Sequence, residues 1–352
     1  VRVLQLRTLH VRKRDDSMVR LADGSWRTMD EARHLYPDFD LTRSWDLPDV
    51  PVLPGDEDFE SYLKRIGFNA DQLQYVRRAY GNSIAEDIAQ VSAISCLAEL
   101  KDESAGEGDF RILDGYDSIA KYLAQGIDIR LETVVESLEW HNSGVRVTAA
   151  DGKGFEADRA LITLPIGVLK AGRVRFSPDL PADKQAAIHN LGMGPGIKMV
   201  YRFDEPVMPP QIGVIYSALN PPMWWSPSFG RDVDGCQVWT TFATGNWVRE
   251  LLALGEAGAL KKGLDTLRQE LNRPDIQPSA AYLVNWPSDP FALGAYSVTR
   301  PGCVGARDEL AKPLEKRLYW AGEATAPLPW IGTVHGAYAS GRRAAAEILN
   351  DF

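Results

Sequence analysis

Cysteine is scarce: Cys96, Cys236 and Cys303 are the only three in 352 residues, widely spaced and odd in number. That argues against a disulfide framework or a thiolate metal site and fits a reducing, cytoplasmic compartment. Histidine is nearly as rare, and His10, His34, His141 and His189 show no ligand spacing, so no metal is expected. No apolar run approaches the length of a membrane span. The basic opening VRVLQLRTLHVRKR lacks the long apolar core of a signal peptide. A net charge of −9 argues against general nucleic-acid binding. An acidic surface suits cationic partners without selecting one. Internal repeats and low-complexity tracts are absent.

What remains is globular, 45% hydrophobic and 25% charged, and long enough for two domains. Val1 to Gly55 reads as irregular, with a loop around Pro48–Asp58. Three helices are expected next: a short one over Phe59–Ile66, one capped by Asn69 that ends before Gly81, and one over Ile84–Leu100. The last would be opened by the capping box Ser83-Ile84-Ala85-Glu86. After a Gly/Glu loop at Ser104–Asp109, Tyr116, Ile119, Ala120 and Leu123 mark a further helix. Short β segments follow at Ile127–Leu131, Val134–Trp140, Val145–Ala149 and Arg159–Leu164, with turns at Asn142-Ser143-Gly144 and Asp151-Gly152. A helix over Ala182–Asn190 precedes a half-buried strand, Ile197–Phe203, whose alternation sets Lys198 opposite the apolar set. More β structure is expected at Ile212–Ser217 and Cys236–Ala243, and helices at Asn246–Leu254 and Leu260–Leu271.

The stretch Arg317 to Leu349, RLYWAGEATAPLPWIGTVHGAYASGRRAAAEIL, organises the rest. An apolar strand, Leu318 to Trp320, enters the tight turn Ala321-Gly322-Glu323. After a Pro- and Trp-containing loop, Gly332-Thr333-Val334 opens a helix with small residues at Gly336, Ala337, Ser340 and Gly341. Small residues admit a flat ligand or simply another backbone. The helix N-terminus suits negative charge. Ordinary helix-on-sheet packing explains the same spacing.

The wording "AGE-T, a loop, G-T-V-H-G-A-Y-x-SG, an Ala-rich helix" resembles the flavin-contacting segment of the FAD-dependent amine oxidases, the family of polyamine oxidases, monoamine oxidases and lysine-specific histone demethylases. The words LETVVESL and ADRALITLPIGVLK carry the likeness upstream to about residue 110, and the first hundred residues match loosely. The resemblance implies an α/β (α+β) fold, with a Rossmann-like FAD-binding domain interleaved with a substrate domain of mixed sheet plus helices. The FAD-domain pieces would be 106–168 and 287–352. The substrate-domain pieces would be 1–105 (helical) and 169–286 (sheet and helices).

It also implies roles. Lys198 matches the lysine that holds a water against flavin N5; its alternative is a solvent-facing lysine. Trp286 and Tyr296 match two active-site aromatics, Tyr296 lining the cage before the flavin; their alternative is a buried core. Phe291 falls where relatives also place an aromatic. Thr333 departs from members with a second cage tyrosine, a place Trp330 could take. Val135 would meet the adenine, and Thr163, Leu164 and Pro165 would border the cofactor. Gly322 and Glu323 would lie near the pyrophosphate and ribityl, and Thr333 and Val334 near the isoalloxazine. Val135 and Leu164 also fit plain strand core, and His335 reads as structural. No Cys lies between Gly322 and Val334, so FAD is expected to be non-covalent.

The sequence opens on Val1, with no strand, GxGxxG turn and helix such as begins a dinucleotide-binding domain. The expectation is that an N-terminal part is missing, as a fragment or by natural loss. The activity implied is oxidation of a small-molecule amine, polyamine-type by preference, with O2 as second substrate. The competing readings are a flavin desaturase or L-amino-acid oxidase, and a truncated non-catalytic remnant.

Overall fold

In the computed structural model the described residues are 5–12, 15–35, 55–102, 109–231, 233 and 235–351. The fold is mixed α/β. Its largest sheet runs, edge to edge, through Ala280–Asn285, Gly196–Phe203, Gln237–Thr244, Met223–Trp225, Val214–Ser217, Ser17–Arg20 and Trp26–Thr28. Gly196–Phe203 is flanked antiparallel by Gln237–Thr244 and Ala280–Asn285. One face is buried: Ile197, Met199, Tyr201 and Phe203 pack with Trp224, Trp239 and the helices Gly245–Ala253 and Gly255–Leu271. The second helix lies close to the sheet because Gly263 has no side chain. A Cβ there would stand 2.4 Å from the Tyr201 hydroxyl oxygen, which donates to the Leu260 carbonyl at 2.7 Å.

A second unit holds a four-stranded sheet, in order Gly154–Ala157, Gly144–Ala149, Val135–His141 and Arg175–Ser177. Beside it is a parallel pair, Ala160–Ile162 with Leu318–Trp320. One core joins them: Leu138, Trp140, Ile162, Leu191, Leu310 and Trp320 are all buried in it. Helices Phe59–Arg65, Ala70–Ser83 and Ala93–Leu100 form a third cluster, which Val298 enters from strand Tyr296–Thr299.

Much of the expected order is observed, including the Asn69 capping box, the two hairpin turns and the helix Ala182–Asn190. Four expectations need correction. Residues before Gly55 are not simply irregular. They hold strands Thr8–Val11, Ser17–Arg20 and Trp26–Thr28 and helix Met29–Leu35, with Val19, Met29 and Ala32 buried together. Positions 36–54, with most of the loop expected at Pro48–Asp58, lie outside the described residues, as do 104–108 of the Gly/Glu loop; Asp109 opens strand Asp109–Ile112.

The Ser83–Glu86 capping box opens no helix. The preceding helix runs through Gly81 to Ser83, Ala85 takes φ +61, and the next helix starts at Ala93, where the Ser92 side chain accepts from the Ser95 amide. Tertiary contacts outweigh the local signal. The Ala85 carbonyl packs where a Cβ on Gly194 would be 2.4 Å away, and the Glu86 carboxylate is held by both Nη atoms of Arg249, at 3.0 and 2.7 Å.

Ile127–Leu131 is not a strand, because no neighbour among the described residues supplies a ladder; Ile127, Ile129 and Leu131 stay 62%, 53% and 82% exposed. The strand expected over Arg159–Leu164 is trimmed to Ala160–Ile162, the length its partner Leu318–Trp320 can pair.

Candidate active site

Strand alternation places Lys198 as expected. It is exposed on the face opposite the buried set, between Phe242 and Val284 on the flanking strands. Its Nζ lies 6.0 Å from the centre of the Trp225 ring. Where Ala280–Asn285 ends, Asn285 caps a short turn of helix over Trp286–Ser288, accepting from the Ser288 amide at 3.3 Å. This leaves Trp286 39% exposed. Tyr296 opens the strand that pairs with Leu191–Gly194. Its ring stacks on Phe242 with centroids 6.4 Å apart, and its hydroxyl donates to the Ser83 carbonyl. Burial, with the negative charges of Glu99 and Glu323 behind it, pushes the phenol up and keeps it neutral.

Lys198, Trp286 and Tyr296 therefore share one cavity of about 1320 Å³. Its aromatic wall is completed by Tyr75, Tyr80, Tyr216, Trp225 and Phe242, none of which the sequence singles out. In the bare sequence these aromatics are indistinguishable from core, since the cavity is assembled from stretches far apart in the chain. Arg20, Arg78 and Glu99 also line it. A charged residue on a helix reads as a solvated face until the neighbouring walls are known.

The expected cofactor-binding residues mostly converge. Thr163, Leu164 and Pro165 follow strand Ala160–Ile162, and Gly322 follows its parallel partner, so both strand ends point the same way. Gly322 has φ +115, and among the described residues the only atom within 4 Å of its missing Cβ is the Thr163 carbonyl oxygen at 3.9 Å. Glu323 ties this end to the cavity by accepting from the Ser297 amide and hydroxyl and from the Gly332 amide at 3.0 Å. Gly332, at φ +65, lies under the Tyr296 ring, where a Cβ would stand 2.8 Å from Cδ2. Val135 is not brought to this point. It opens a strand of the four-stranded sheet, half-buried against the shared core.

The small residues of helix Val334–Asn350 divide between the two uses their spacing allows. Gly336 and Ser340 are buried in packing: a Cβ on Gly336 would be 2.1 Å from the Trp330 carbonyl oxygen, and the Ser340 hydroxyl accepts from the Gly322 amide at 2.9 Å. The Thr333 hydroxyl is spent as the cap, accepting from the Gly336 amide at 3.0 Å and donating to the Trp330 carbonyl at 2.6 Å. The first-turn amides of Val334 and His335 lie between the Thr333 cap and the Gly336 amide it holds, and Val334 is 59% exposed. Trp330 does not lean into the cavity. Its indole donates to Asp102 at 3.1 Å and its ring meets His335 edge-on. Phe291 is 63% exposed and outside the cavity lining.

An open floor at Gly322, a helix N-terminus at Val334 and an aromatic cavity beyond Gly332 fit a flat, anion-bearing ring. The family model for flavin containing amine oxidoreductase matches residues 24–349. The chain belongs to that family of oxidoreductases.

Within this flavin-containing family, polyamine oxidase 4 of Oryza sativa subsp. japonica is 33% identical over 343 residues, covering 96% of the chain and 66% of the relative. Lysine-specific histone demethylase 1B of Mus musculus is 32% identical over 253 residues, covering 68% and 30%. The chain thus spans under two thirds of the length of these relatives. Among solved structures, putrescine oxidase bound to putrescine superposes with a TM-score of 0.78 at 19% identity, covering 99% of this chain and 84% of that one. Cyclohexylamine oxidase from Brevibacterium oxydans gives 0.77 at 17% identity, with coverage of 99% and 84%. At such identity the likeness is one of fold. Among the described residues no helix is long and apolar enough to cross a membrane, and no group of side chains suits a metal ion.

Proposed function

We propose that the chain carries the substrate site and part of the cofactor site of an FAD-dependent amine oxidase that prefers polyamine-type substrates. The observation that carries this reading is the shared cavity of Lys198, Trp286 and Tyr296, whose Tyr296 ring packs against Gly332. Thr163, Leu164, Pro165, Gly322, Glu323, Thr333 and Val334 would hold FAD, with Val135 toward the adenine. The absence of Cys between Gly322 and Val334 supports a non-covalent cofactor. Bound there, FAD would supply a two-electron acceptor for the hydride of the amine α-carbon, with O2 as the final oxidant and H2O2 as its product. The aromatic walls exclude water and orient a neutral amine, and Lys198 holds a water and moves its proton. The imine product hydrolyses to an aldehyde.

The organisation proposed is two interleaved domains, FAD-binding from 106–168 and 287–352 and substrate-binding from 1–105 and 169–286, with Phe176 to Leu191 packed into the core of the first. The free thiols Cys96, Cys236 and Cys303 support a cytoplasmic setting.

Mixing the purified chain with FAD, desalting it and recording its absorbance tests the proposal. A retained two-band yellow spectrum, bleached by spermidine without air, is the expected result; a colourless protein overturns it for this chain. Arg78 favours a second reading, an L-amino-acid oxidase, since its guanidinium lines the cavity and could meet a carboxylate. It already donates to the Ala218 carbonyl. H2O2 release from L-amino acids but not from amines would select that reading.

A further inference from the structure

Two carboxylates line the cavity, Asp71 and Glu99, and the chemistry at Lys198, Trp286 and Tyr296 uses neither; Glu99 is the less exposed. We propose that Glu99 is the anchor for the second ammonium of a diamine whose first amine lies at the Lys198–Trp286–Tyr296 end. This inference rests on the amine oxidase reading.

Glu99 sits in the last turn of helix Ala93–Leu100, whose last turn has no basic residue. An acid there opposes the negative end of the helix dipole, so the helix gains nothing from it. Its bonding capacity is also nearly unspent. Oε2 meets the Tyr80 hydroxyl at 3.4 Å, a long contact, and Oε1 has no hydrogen-bond partner among the described residues. The cation whose charge acts on it, Arg307, is committed elsewhere: it donates to Thr299 at 2.9 Å, to Ser297 at 2.8 Å and to the Ala324 carbonyl at 3.2 Å. A carboxylate accepts up to about four hydrogen bonds. An ammonium brings three donors and a charge, which matches the deficit.

The surroundings select the same class of ligand. Tyr80, Tyr75 and Tyr296 flank the route with aromatic faces that attract cations. Asp71, the other lining carboxylate, is exposed. The two lining guanidiniums have other partners. Arg78 donates to Ala218, and Arg20 lies 5.4 Å from the Trp26 ring centre. The cavity is larger than a single small amine requires, which leaves room for a chain between two amines.

Burial pushes the Glu99 carboxyl up to about 7, opposed by the Tyr80 hydrogen bond and the Arg307 charge. The groups facing it are Tyr80, Cys96, Tyr296, Arg307 and, behind Tyr296, Glu323. Burial pushes Tyr80, Cys96 and Tyr296 up as well, so they stay neutral through pH 8; Arg307, brought down to about 10, stays charged. Diamine affinity should therefore rise between pH 6 and pH 8 as Glu99 ionises, while both ligand ammoniums remain protonated.

The test is titration of the whole chain, loaded with FAD, with α,ω-diamines of roughly four to twelve carbons and with the n-alkylamines of equal length. Calorimetry and the fluorescence of Trp225 and Trp286 provide the readout. In the wild type at least one diamine should bind about tenfold tighter than its alkylamine. Glu99→Gln should remove most of that advantage and its rise with pH, and Glu99→Asp should keep part of both. Equal affinity for diamine and alkylamine, or an unchanged diamine advantage in a folded Glu99→Gln protein, would overturn the anchor and leave the amine site standing. If neither amine binds the wild type, the amine oxidase reading falls with it.

Discussion

Glu323 grips Ser297 twice: Oε1 accepts from its amide at 2.9 Å and Oε2 from its hydroxyl at 2.6 Å. The same hydroxyl accepts from Nη1 of Arg307 at 2.8 Å. Ser297 follows Tyr296, and Glu323 also holds the Gly332 amide, so one carboxylate fixes the cavity tyrosine and the turn at Gly332 together. Arg307 is 2% exposed, and its Nη2 has no partner among the described residues. Glu323→Ala should strand that buried charge and destabilise the protein by about 3–5 kcal/mol. In urea unfolding, Arg307→Met added to Glu323→Ala should cost less than the sum of the two singles. Additive losses would show that the residues are not coupled.

Lys198 is exposed and has no ion pair among the described residues, so its replacement should leave stability nearly unchanged. Lys198→Met should nonetheless slow anaerobic flavin reduction by an amine by about 100-fold, the usual effect of removing a proton-transfer group. Stopped-flow absorbance measures the rate, and circular dichroism checks the fold. An unslowed enzyme would return Lys198 to the role of a solvent-facing residue.

Gly336 separates close packing from ligand approach. Its missing side chain faces the Trp330 carbonyl at 2.1 Å and the Ala326 methyl at 3.0 Å. Gly336→Ala should lower stability by about 1–3 kcal/mol through overpacking. Gly341→Ala, which meets no atom within 4 Å, should be neutral or slightly stabilising through helix propensity. A thermal melt of each variant distinguishes them. Equal shifts would mean the helix is free to move away from the turn.

The parts of this architecture written in local periodicity were legible. The alternation of Ile197 to Phe203 fixed which face Lys198 takes, and Asn142-Ser143-Gly144 and Asp151-Gly152 marked their turns. Trp286 and Tyr296 were identified through motif wording rather than spacing. What could not be read depended on distant contacts. The Ser83–Glu86 box looks like a helix start but is overruled by Gly194 and Arg249, more than a hundred residues downstream. Trp225, Phe242, Tyr80 and Glu99 become cavity residues only once stretches far apart in the chain meet. Thr8–Val11 and Ser17–Arg20 are strands because sheet partners far along the chain, Asp109–Ile112 and Val214–Ser217, receive them, and no alternation of their own announces it.

Glu270 makes a second buried carboxyl detectable by stability. It is 0% exposed, its Oε1 accepts from the Ser217 hydroxyl, and Oε2 has no partner among the described residues. Burial pushes it up to about 7, partly offset by Ser217 and by the charge of Arg20. In the unfolded chain it titrates near 4.5. Between those values the native state binds the extra proton, so this group makes stability fall as pH rises from about 4.5 to about 7. Above pH 7 the full cost of an ionised, half-satisfied buried carboxylate is present. Glu270→Gln keeps the shape and a hydrogen-bonding side chain without the charge. It should stabilise the protein at pH 8 by on the order of 2 kcal/mol and have no stabilising effect at pH 4.5. Glu99 titrates in the same window, so the wild-type slope should be halved rather than abolished. Urea unfolding of both proteins at half-unit pH steps measures the difference. A gap that stays constant across the range would show that Glu270 does not ionise in the folded protein.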